Sequence, residues 1–317
     1  MSPPFLSYVT WNRMGLTVKN ILRILQSRDD FEMHIIDSNS LDDTWCFIKE
    51  IEDSRIKSRT RLDKNHGPVY AYNLNLSKRK KDQFFIHVDN DVYFHTLDWI
   101  SKLTEAFDEF TELGMLGIPR PYPYPQFLPP VEPRIRKGIC YLKLLNAKVN
   151  GQLDFIPRCC IMFRPELFNY IGYWSEETQF TDAEMSPRVV NYTPYTAGFA
   201  TNIWIEQPQN ISCDICPGKS WCSIREHGID CNKIWSKYYL NSEFVKSNLW
   251  KNLRFFNELQ EDRRSVFCGS IHNKDSLSLM KPSTYHFDWV EDNFNTYVKH
   301  ANQDYKDDFL INTGEKG

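Results

Sequence analysis

The sequence has no excess of either charge and no strong compositional bias. Lysine and arginine total 38 residues against 41 aspartates and glutamates, which gives a formal net charge of −3. A protein-wide basic field for nucleic acid or an anionic membrane is therefore absent, although local basic patches are compatible with this balance. Hydrophobic residues make up 41% and charged residues 25% of the chain, which excludes a disordered or fibrous protein.

Long apolar runs are also missing. The most apolar stretches, such as 84–86 and 160–163, are far shorter than the about 20 residues that cross a bilayer. Residues 1–8 lack the basic and apolar regions of a signal peptide. We therefore expect a cytoplasmic protein without a transmembrane segment, whose thiols are reduced. The sequence does not indicate an oligomeric state.

Strand and helix patterns alternate over the first ninety residues. Residues 6–10, 31–36 and 83–88 are predicted strands, and polar residues follow each of them. Between the first two strands, apolar residues from Val18 to Leu25 recur with helical spacing. This alternation predicts a mostly parallel sheet with its ligand crevice at the carboxyl ends of the strands. The polar clusters should therefore meet at one site.

Two carboxylates, Asp89 and Asp91, come directly after the third predicted strand. Hard divalent cations prefer oxygen ligands, and such a cation often bridges protein carboxylates and substrate phosphates. An Asp-x-Asp motif also occurs by chance as a solvated acidic turn. The interpretation of this pair as a metal site therefore depends on its context.

Four motifs over this region together resemble the glycosyltransferases of family 2, which have the GT-A fold. The matching residues are Thr10, Asn12 and Arg13; Asp37, Ser40, Asp43 and Thr44; Asn65, Gly67, Ala71 and Asn73; and Asp89 and Asp91. The second motif carries one residue more than the family pattern. The order and spacing of all four motifs are more specific than any one of them.

The resemblance implies a Rossmann-like α/β fold with a mostly parallel sheet flanked by helices, and a nucleotide-diphosphate sugar as donor. Asp37 would accept hydrogen bonds from the base, Arg13 would lie near the phosphates, and Asp89 would reach the ribose. Asp89 and Asp91 would bind Mn²⁺ or Mg²⁺, which neutralises charge on the leaving diphosphate. The remaining donor-binding residues implied by the motifs are Thr10, Asn12, Asn39, Asn65 and Gly67.

A later block resembles the acceptor side of the same family. Its residues are Phe168, Ile171, Gly172, Trp174 and Glu176, followed by Asp182, Glu184 and Arg188. The resemblance places Asp182 at the position of the general base of inverting members, where a carboxylate accepts the proton of the attacking hydroxyl. Thr181 replaces the usual acid, and Pro187 interrupts what is normally a helix start. The structural alternative is that Asp182 only caps this helix.

A histidine from a C-terminal segment often joins the same metal in related enzymes. The resemblance implies His286 for this role, on a predicted strand over 283–287, with His272 as the second choice. A lone histidine is more often a structural residue. The pattern of residues 234–259 predicts a helix, so the region 234–317 is expected to be helical and to complete the active site.

Nine cysteines are present, and four of them lie within residues 213–231, where uniform scatter would place roughly half a cysteine. These four are Cys213, Cys216, Cys222 and Cys231. Such a set is typical of a structural Zn²⁺ site, in which His227 could replace one thiol. An iron–sulfur cluster would use the same ligands and is less favoured. We expect a metal-binding insertion at 206–233, between a GT-A core at 1–205 and the helical region.

The leading functional hypothesis is a metal-dependent, inverting glycosyltransferase. Its hydroxyl acceptor would be a surface glycan, a protein or a hydroxymethylated DNA base. Basic stretches at 55–61 and 78–81 keep the DNA acceptor open, although a solvated surface explains them more simply. The alternatives are a non-catalytic, zinc-stabilised binding protein of the same fold and a sugar nucleotidyltransferase.

Overall fold

The structure is a computed structural model that describes residues 2–119, 129–145, 155–157, 159–179, 181–207, 242–280 and 285–298. The four cysteines of the predicted zinc site, Cys213, Cys216, Cys222 and Cys231, lie outside the described residues. Nothing in the structure therefore tests that site. In the part of the chain that is described, no helix is both long and apolar enough to cross a membrane.

Nine strands form one sheet, and two more form a short ribbon. The strands are β1 (Phe5–Thr10), β2 (Glu32–Asp37), β3 (Ile56–Arg61), β4 (Phe85–Asp89), β5 (Tyr93–Phe94), β6 (Leu113–Gly117), β7 (Val131–Arg136), β8 (Ile139–Leu144), β9 (Cys160–Phe163), β10 (Thr196–Ala200) and β11 (Ile205–Glu206). The order in the large sheet is β3-β2-β1-β4-β9-β6-β10-β8-β7, and β11 pairs with β5 in the ribbon. The α/β class predicted from the sequence is confirmed.

The large sheet is mixed rather than mostly parallel. Strands β3, β2, β1 and β4, which the first ninety residues provide, are parallel neighbours. The later strand β9 lies antiparallel between β4 and β6. Strands β7 and β8 form an edge hairpin whose two turn residues, Lys137 and Gly138, both have positive φ, as a two-residue hairpin turn requires. The expectation of a mostly parallel sheet thus holds for β3, β2, β1 and β4, and beyond β4 the pairing is mixed, because β6 and β10 are parallel while the other pairs are antiparallel.

Nine helices are described along the chain. They are α1 (Met14–Leu25), α2 (Thr44–Glu50), α3 (Pro68–Leu76), α4 (Trp99–Glu109), α5 (Phe168–Ile171), α6 (Thr181–Tyr192), α7 (Ser242–Gln260), α8 (Lys274–Ser278) and α9 (Phe287–Val298). Helix α7 overlaps the helix predicted at 234–259. The strand predicted at 283–287 is wrong in its described part, because Tyr285 and His286 belong to no strand and Phe287 begins α9.

Side chains alternate between two apolar layers, one on each face of the sheet. Leu6 and Tyr8 of β1 pack in one layer, which also contains buried residues of α1 and α4. Phe5 of the same strand belongs to the other layer, which is built with α3, α5 and α6. Burial on both faces leaves the ends of the strands as the natural position for a polar site.

Candidate functional site

The strand register brings the predicted polar residues to one edge of the sheet. In the parallel pairs, Thr10 of β1 is opposite Asp37 of β2, and Asp37 is opposite Arg61 of β3. On the other side of β1, Val9 is opposite Asp89 of β4. The carboxyl ends of four neighbouring strands therefore carry Thr10, Asp37, Arg61 and Asp89, and the sequence pattern predicted this for Thr10, Asp37 and Asp89.

The turn after β1 is locked to the turn after β2. Asn12 and Arg13 have φ values of 55° and 61°, a left-handed conformation that non-glycine residues seldom adopt. The Asn12 amide N–H donates to Ser40 Oγ over 2.7 Å, and Asn12 Oδ1 accepts from the Leu41 amide over 2.8 Å. Asn12 thus shapes the site from a buried position.

Asp37 is fully buried beneath this edge. Its carboxylate accepts hydrogen bonds from the Ser40 amide at 3.1 and 3.2 Å and from the Ser40 hydroxyl, and Arg61 Nε lies 3.4 Å from Oδ2. Burial raises the pKa of Asp37, while the Ser40 hydrogen bonds and the Arg61 charge oppose that rise. Asn39 is partly exposed between Asp37 and Ser40, with a φ of 64°.

Asp89 and Asp91 lie together at the end of β4, with side chains 20% and 16% exposed. His87 Nε2 lies 3.0 Å from Asp89 Oδ1. Asp91 Oδ2 lies 3.2 Å from an Arg13 guanidinium nitrogen, and Asp91 Oδ1 accepts from Gln207 Nε2 over 2.9 Å. Two partly exposed carboxylates on one turn fit a hard divalent cation, which takes further oxygen ligands from phosphates and water.

The turn between the two aspartates is tied to the neighbouring elements through Asn90. The Asn90 carbonyl accepts from Asn20 Nδ2 over 2.6 Å, and Asn90 Nδ2 donates to Thr10 Oγ1 over 3.1 Å. Thr10 is buried and also contacts Thr17 Oγ1 at 2.9 Å. Thr10 therefore supports the Asp89–Asp91 turn from behind.

The third motif connects the donor side to the acceptor block. Asn65 Oδ1 accepts from the Gly67 amide over 2.9 Å at the start of α3. Asn73 Nδ2 donates over 3.0 Å both to the Trp174 carbonyl and to Glu176 Oε1, and Asn73 Oδ1 accepts from the Trp174 amide. The buried side-chain amide of Asn73 thus joins the third motif to the acceptor block.

Asp182 is the second residue of α6 and is partly exposed. Because α6 begins at Thr181, Asp182 lies in the first turn of this helix. A carboxylate in the first turn is stabilised by the helix dipole. Pro187 lies within this helix and does not end it.

Glu184 and Arg188 of α6 form a fully buried ion pair at 2.8 Å. Glu184 also accepts from the Ser175 amide over 2.6 Å, and Arg188 donates to the Tyr173 carbonyl over 3.0 Å and to the Val266 carbonyl over 3.1 Å. These bonds fix the helix that carries Asp182 to the turn before it.

His286 and His272 do not join the Asp89–Asp91 pair. Searched over the described residues, no three His, Cys, Asp or Glu side chains come together in a group that could hold a metal ion. His286 stacks on Trp289 at 4.2 Å, and its Nε2 lies 3.6 Å from Glu258. His272 packs edge-on against Tyr70 at 4.3 Å, and burial lowers its pKa to about 4. The expectation that His286 completes the metal site is therefore not supported.

Several residues of the site were not predicted from the sequence. His87, Asn20, Asn90 and Gln207 contact the two aspartates or the turn between them. The alternation of β4 would have placed His87 on the same face as Asp89. Gln207 lies 116 residues from Asp91 in the sequence, and no local pattern indicates that contact.

The described geometry agrees with comparisons with known proteins. The family model "Glycosyl transferase family 2" matches residues 7–172, which is more than half of the chain. The comparison with curated protein sequences gave no match. Among solved structures, a mannosyltransferase from Pyrobaculum calidifontis, PcManGT in complex with GDP-Man and Mn²⁺, has 12% identity and a TM-score of 0.51 over 99% of this chain and 87% of that chain.

A second structure is that of S. aureus TarS residues 1–349 in complex with UDP. It has 18% identity and a TM-score of 0.47, over 63% of this chain and 58% of that chain. The chain thus spans less than two thirds of this TarS structure. At these identities the structural likeness concerns the fold alone, which is α/β and GT-A-like. From the family model over residues 7–172, we conclude that the chain belongs to glycosyl transferase family 2.

Proposed function

We propose that the protein transfers a sugar from a nucleotide-diphosphate donor to a hydroxyl acceptor, with inversion at the anomeric carbon. The convergence of Asp37, Asp89 and Asp91 at one edge of the sheet carries this proposal. The Mn²⁺ and GDP-Man in the PcManGT structure support a divalent cation and a nucleotide sugar for this fold.

On the donor side, the residues would bind the cation and the nucleotide diphosphate. Asp89 and Asp91 would hold Mn²⁺ or Mg²⁺, whose Lewis acidity stabilises negative charge on the leaving diphosphate. Arg13, whose guanidinium reaches Asp91, is close enough to this turn to contact the phosphates as well. Asp37, Asn39, Asn65 and Gly67 are proposed to surround the nucleoside.

Asp182 is the proposed general base. A partly exposed carboxylate in the first turn of α6 can accept the proton of an acceptor hydroxyl as its oxygen attacks the sugar. The buried Glu184–Arg188 pair would keep this helix in place during the reaction. Inversion requires the acceptor oxygen to attack from the face opposite the diphosphate, so Asp182 would act from that face.

The acceptor is more consistent with a glycan or a protein than with DNA. The arginines of both basic stretches donate to the protein's own backbone: Arg55 to Leu25, Arg59 to Ile48, Arg61 to Ser40, and Arg79 to Gln83. Guanidinium groups used in this way are less available for phosphates. Binding to hydroxymethylated DNA at low salt, with a steep salt dependence, would instead favour the DNA acceptor.

The test compares Asp91→Asn and Asp182→Asn in a screen of nucleotide sugars with Mn²⁺. Asp91→Asn is expected to weaken binding of the cation and nucleotide together. Asp182→Asn should bind the donor normally but turn over about 10²–10⁴-fold more slowly. Asp98→Asn, an exposed acid paired with Lys102, is the matched control. Full turnover in both site variants would refute the proposal, and nucleotide binding without any turnover in the wild type would favour a non-catalytic protein.

A structural zinc site at Cys213, Cys216, Cys222 and Cys231 is proposed from sequence spacing alone. The expected result of native metal analysis is one zinc per chain, lost in a Cys213→Ser/Cys216→Ser variant. Iron with acid-labile sulfide would instead identify an iron–sulfur cluster.

A further inference from the structure

His87 lies directly behind the proposed metal-binding pair. It is located on β4 two residues before Asp89, so both side chains project from the same face of the strand. Its Nε2 lies 3.0 Å from Asp89 Oδ1, and the imidazole is fully buried. Burial of a polar ring is unfavourable unless hydrogen bonds compensate for the lost contact with water.

The surroundings of His87 are aromatic on the other sides. Its ring lies 4.2 Å from the ring of Tyr72, on α3, and 6.5 Å from Trp174 of the acceptor block. Within the described residues, Nδ1 is buried without a hydrogen-bond partner. The hydrogen bond to Asp89 is therefore the polar contact that the ring makes there, and the aromatic packing fixes the plane in which it is made.

This arrangement specifies which ring nitrogen donates the hydrogen bond. An ionised carboxylate only accepts hydrogen bonds, so Nε2 must carry the proton that is shared with Asp89 Oδ1. His87 donates, Asp89 accepts, and the carboxylate cannot rotate without losing this bond.

We propose that His87 is a positioning residue that orients the Asp89 carboxylate for the divalent cation and the donor nucleotide. The inference rests on the proposed function, because it assumes that Asp89 contacts those ligands. Asp91 has a comparable support in Arg13 and Gln207. Outer partners of this kind fix the direction of the ligand oxygens, and their loss typically weakens metal affinity by about 10–100-fold.

Mn²⁺ binding to the full chain, followed by electron paramagnetic resonance with GDP or UDP present, tests this role. His87→Leu removes the donor and is expected to weaken Mn²⁺ binding about tenfold or more. His87→Gln carries an amide N–H that can reach the same position, and should stay within about threefold of the wild type. His34→Leu is the control, since His34 lies on β2, two strands away from β4 in the sheet, and contacts Ser58 instead. Unchanged Mn²⁺ binding in His87→Leu would overturn the inference.

A measurement on the unmodified protein covers the case in which His87→Leu does not fold. Nitrogen-15 NMR of labelled histidine should show a ring of His87 that is protonated at Nε2. A neutral ring protonated at Nδ1 would overturn the proposal, because Nε2 could not then donate to Asp89.

Failure of this inference is distinguishable from failure of the proposed function. If Asp91→Asn abolishes Mn²⁺ binding while His87→Leu leaves it unchanged, the metal site stands and only the role of His87 is wrong. If Asp91→Asn has no effect on Mn²⁺ binding, the metal site itself is wrong, whatever the tautomer of His87.

Discussion

Gly67 and Gly138 both have positive φ but lie in different surroundings. Gly67 has φ +87° and ψ 169° at the start of α3, and a Cβ there would lie 2.7 Å from Cδ2 of Tyr297. Gly138 has φ +81° in the β7–β8 turn, and a Cβ there would meet no atom within 4 Å. An alanine at position 67 would therefore have both backbone strain and a clash with Tyr297, whereas an alanine at position 138 would have backbone strain alone.

Alanine substitution separates these two effects. Gly138→Ala should lower the free energy of unfolding by about 1 kcal/mol, the strain of a left-handed backbone. Gly67→Ala should lower it by about 3 kcal/mol or more, because Tyr297 must also move. Urea unfolding of both variants measures the difference. Equal losses would show that Tyr297 yields freely and that the clash adds nothing to the backbone strain.

The residues that the sequence identified are those with local signals. Asp37, Asp89 and Asp91 follow predicted strands, and their meeting at one edge follows from parallel pairing. The supporting contacts come from distant positions, and Gln207 is the clearest example because it reaches Asp91 across 116 residues. His286 illustrates the opposite limit, since its family role was implied but its ring stacks on Trp289.

Among the elements, α6 is held in place by a buried ion pair. Glu184 and Arg188 are both fully buried, one turn apart, and together they engage the backbone at Tyr173, Ser175 and Val266. Burial of a charge is tolerated only when it is paired and hydrogen-bonded. The pair thus fixes α6, and with it Asp182, to the preceding turn.

Removing one partner of this pair should lower the free energy of unfolding more than removing both. Arg188→Met leaves Glu184 buried and unpaired, and should lower the free energy of unfolding by about 3–5 kcal/mol. The double variant Glu184→Gln/Arg188→Met should recover part of that loss, because no isolated charge remains. Chemical unfolding of Arg188→Met, Glu184→Gln and the double variant measures these free energies. A double variant less stable than either single one would show that packing, not charge pairing, dominates.

The elements after residue 110 were harder to predict than the first ones. Alternating patterns and polar strand ends indicated β1, β2 and β4 directly, whereas the antiparallel position of β9 between β4 and β6 depends on contacts distant in sequence. A short apolar strand such as Cys160–Phe163 has the same pattern in either direction. The sequence therefore supports the class of the fold but not the mixed topology of its second half.

At the scale of the whole molecule, two adjacent glutamates bind the C-terminal segments, and Glu176 joins them to α3. Glu176 accepts from Asn73 and from Ser270 Oγ, the Ile271 amide and the Tyr285 hydroxyl. Glu177 forms a two-bond ion pair with Arg264 at 2.6 and 2.9 Å. The family model ends at residue 172, so these carboxylates connect the shared core to the part of the chain beyond it.

This junction makes global stability depend on pH through Glu176. Burial raises the pKa of Glu176, although its hydrogen bonds to Ser270, Tyr285 and Asn73 oppose the rise. The native state therefore binds the proton more tightly than the unfolded chain does. The stabilisation that Glu176 contributes is fully present below the unfolded pKa of about 4.3, and it is lost as the pH rises through the higher native pKa.

Glu176→Gln removes this titration while it keeps the shape of the side chain. The stability of the wild type minus that of the variant should therefore decrease as the pH rises from about 4 through the raised native pKa, and then level off. Urea unfolding of both proteins across this pH range measures the difference, and other titrating groups cancel in the subtraction. A difference that increases with pH would mean that the four donors favour the ionised carboxylate over its burial cost, and that the native pKa of Glu176 lies below its ordinary value. In that case the junction would be strongest at neutral pH, where the glutamate is charged.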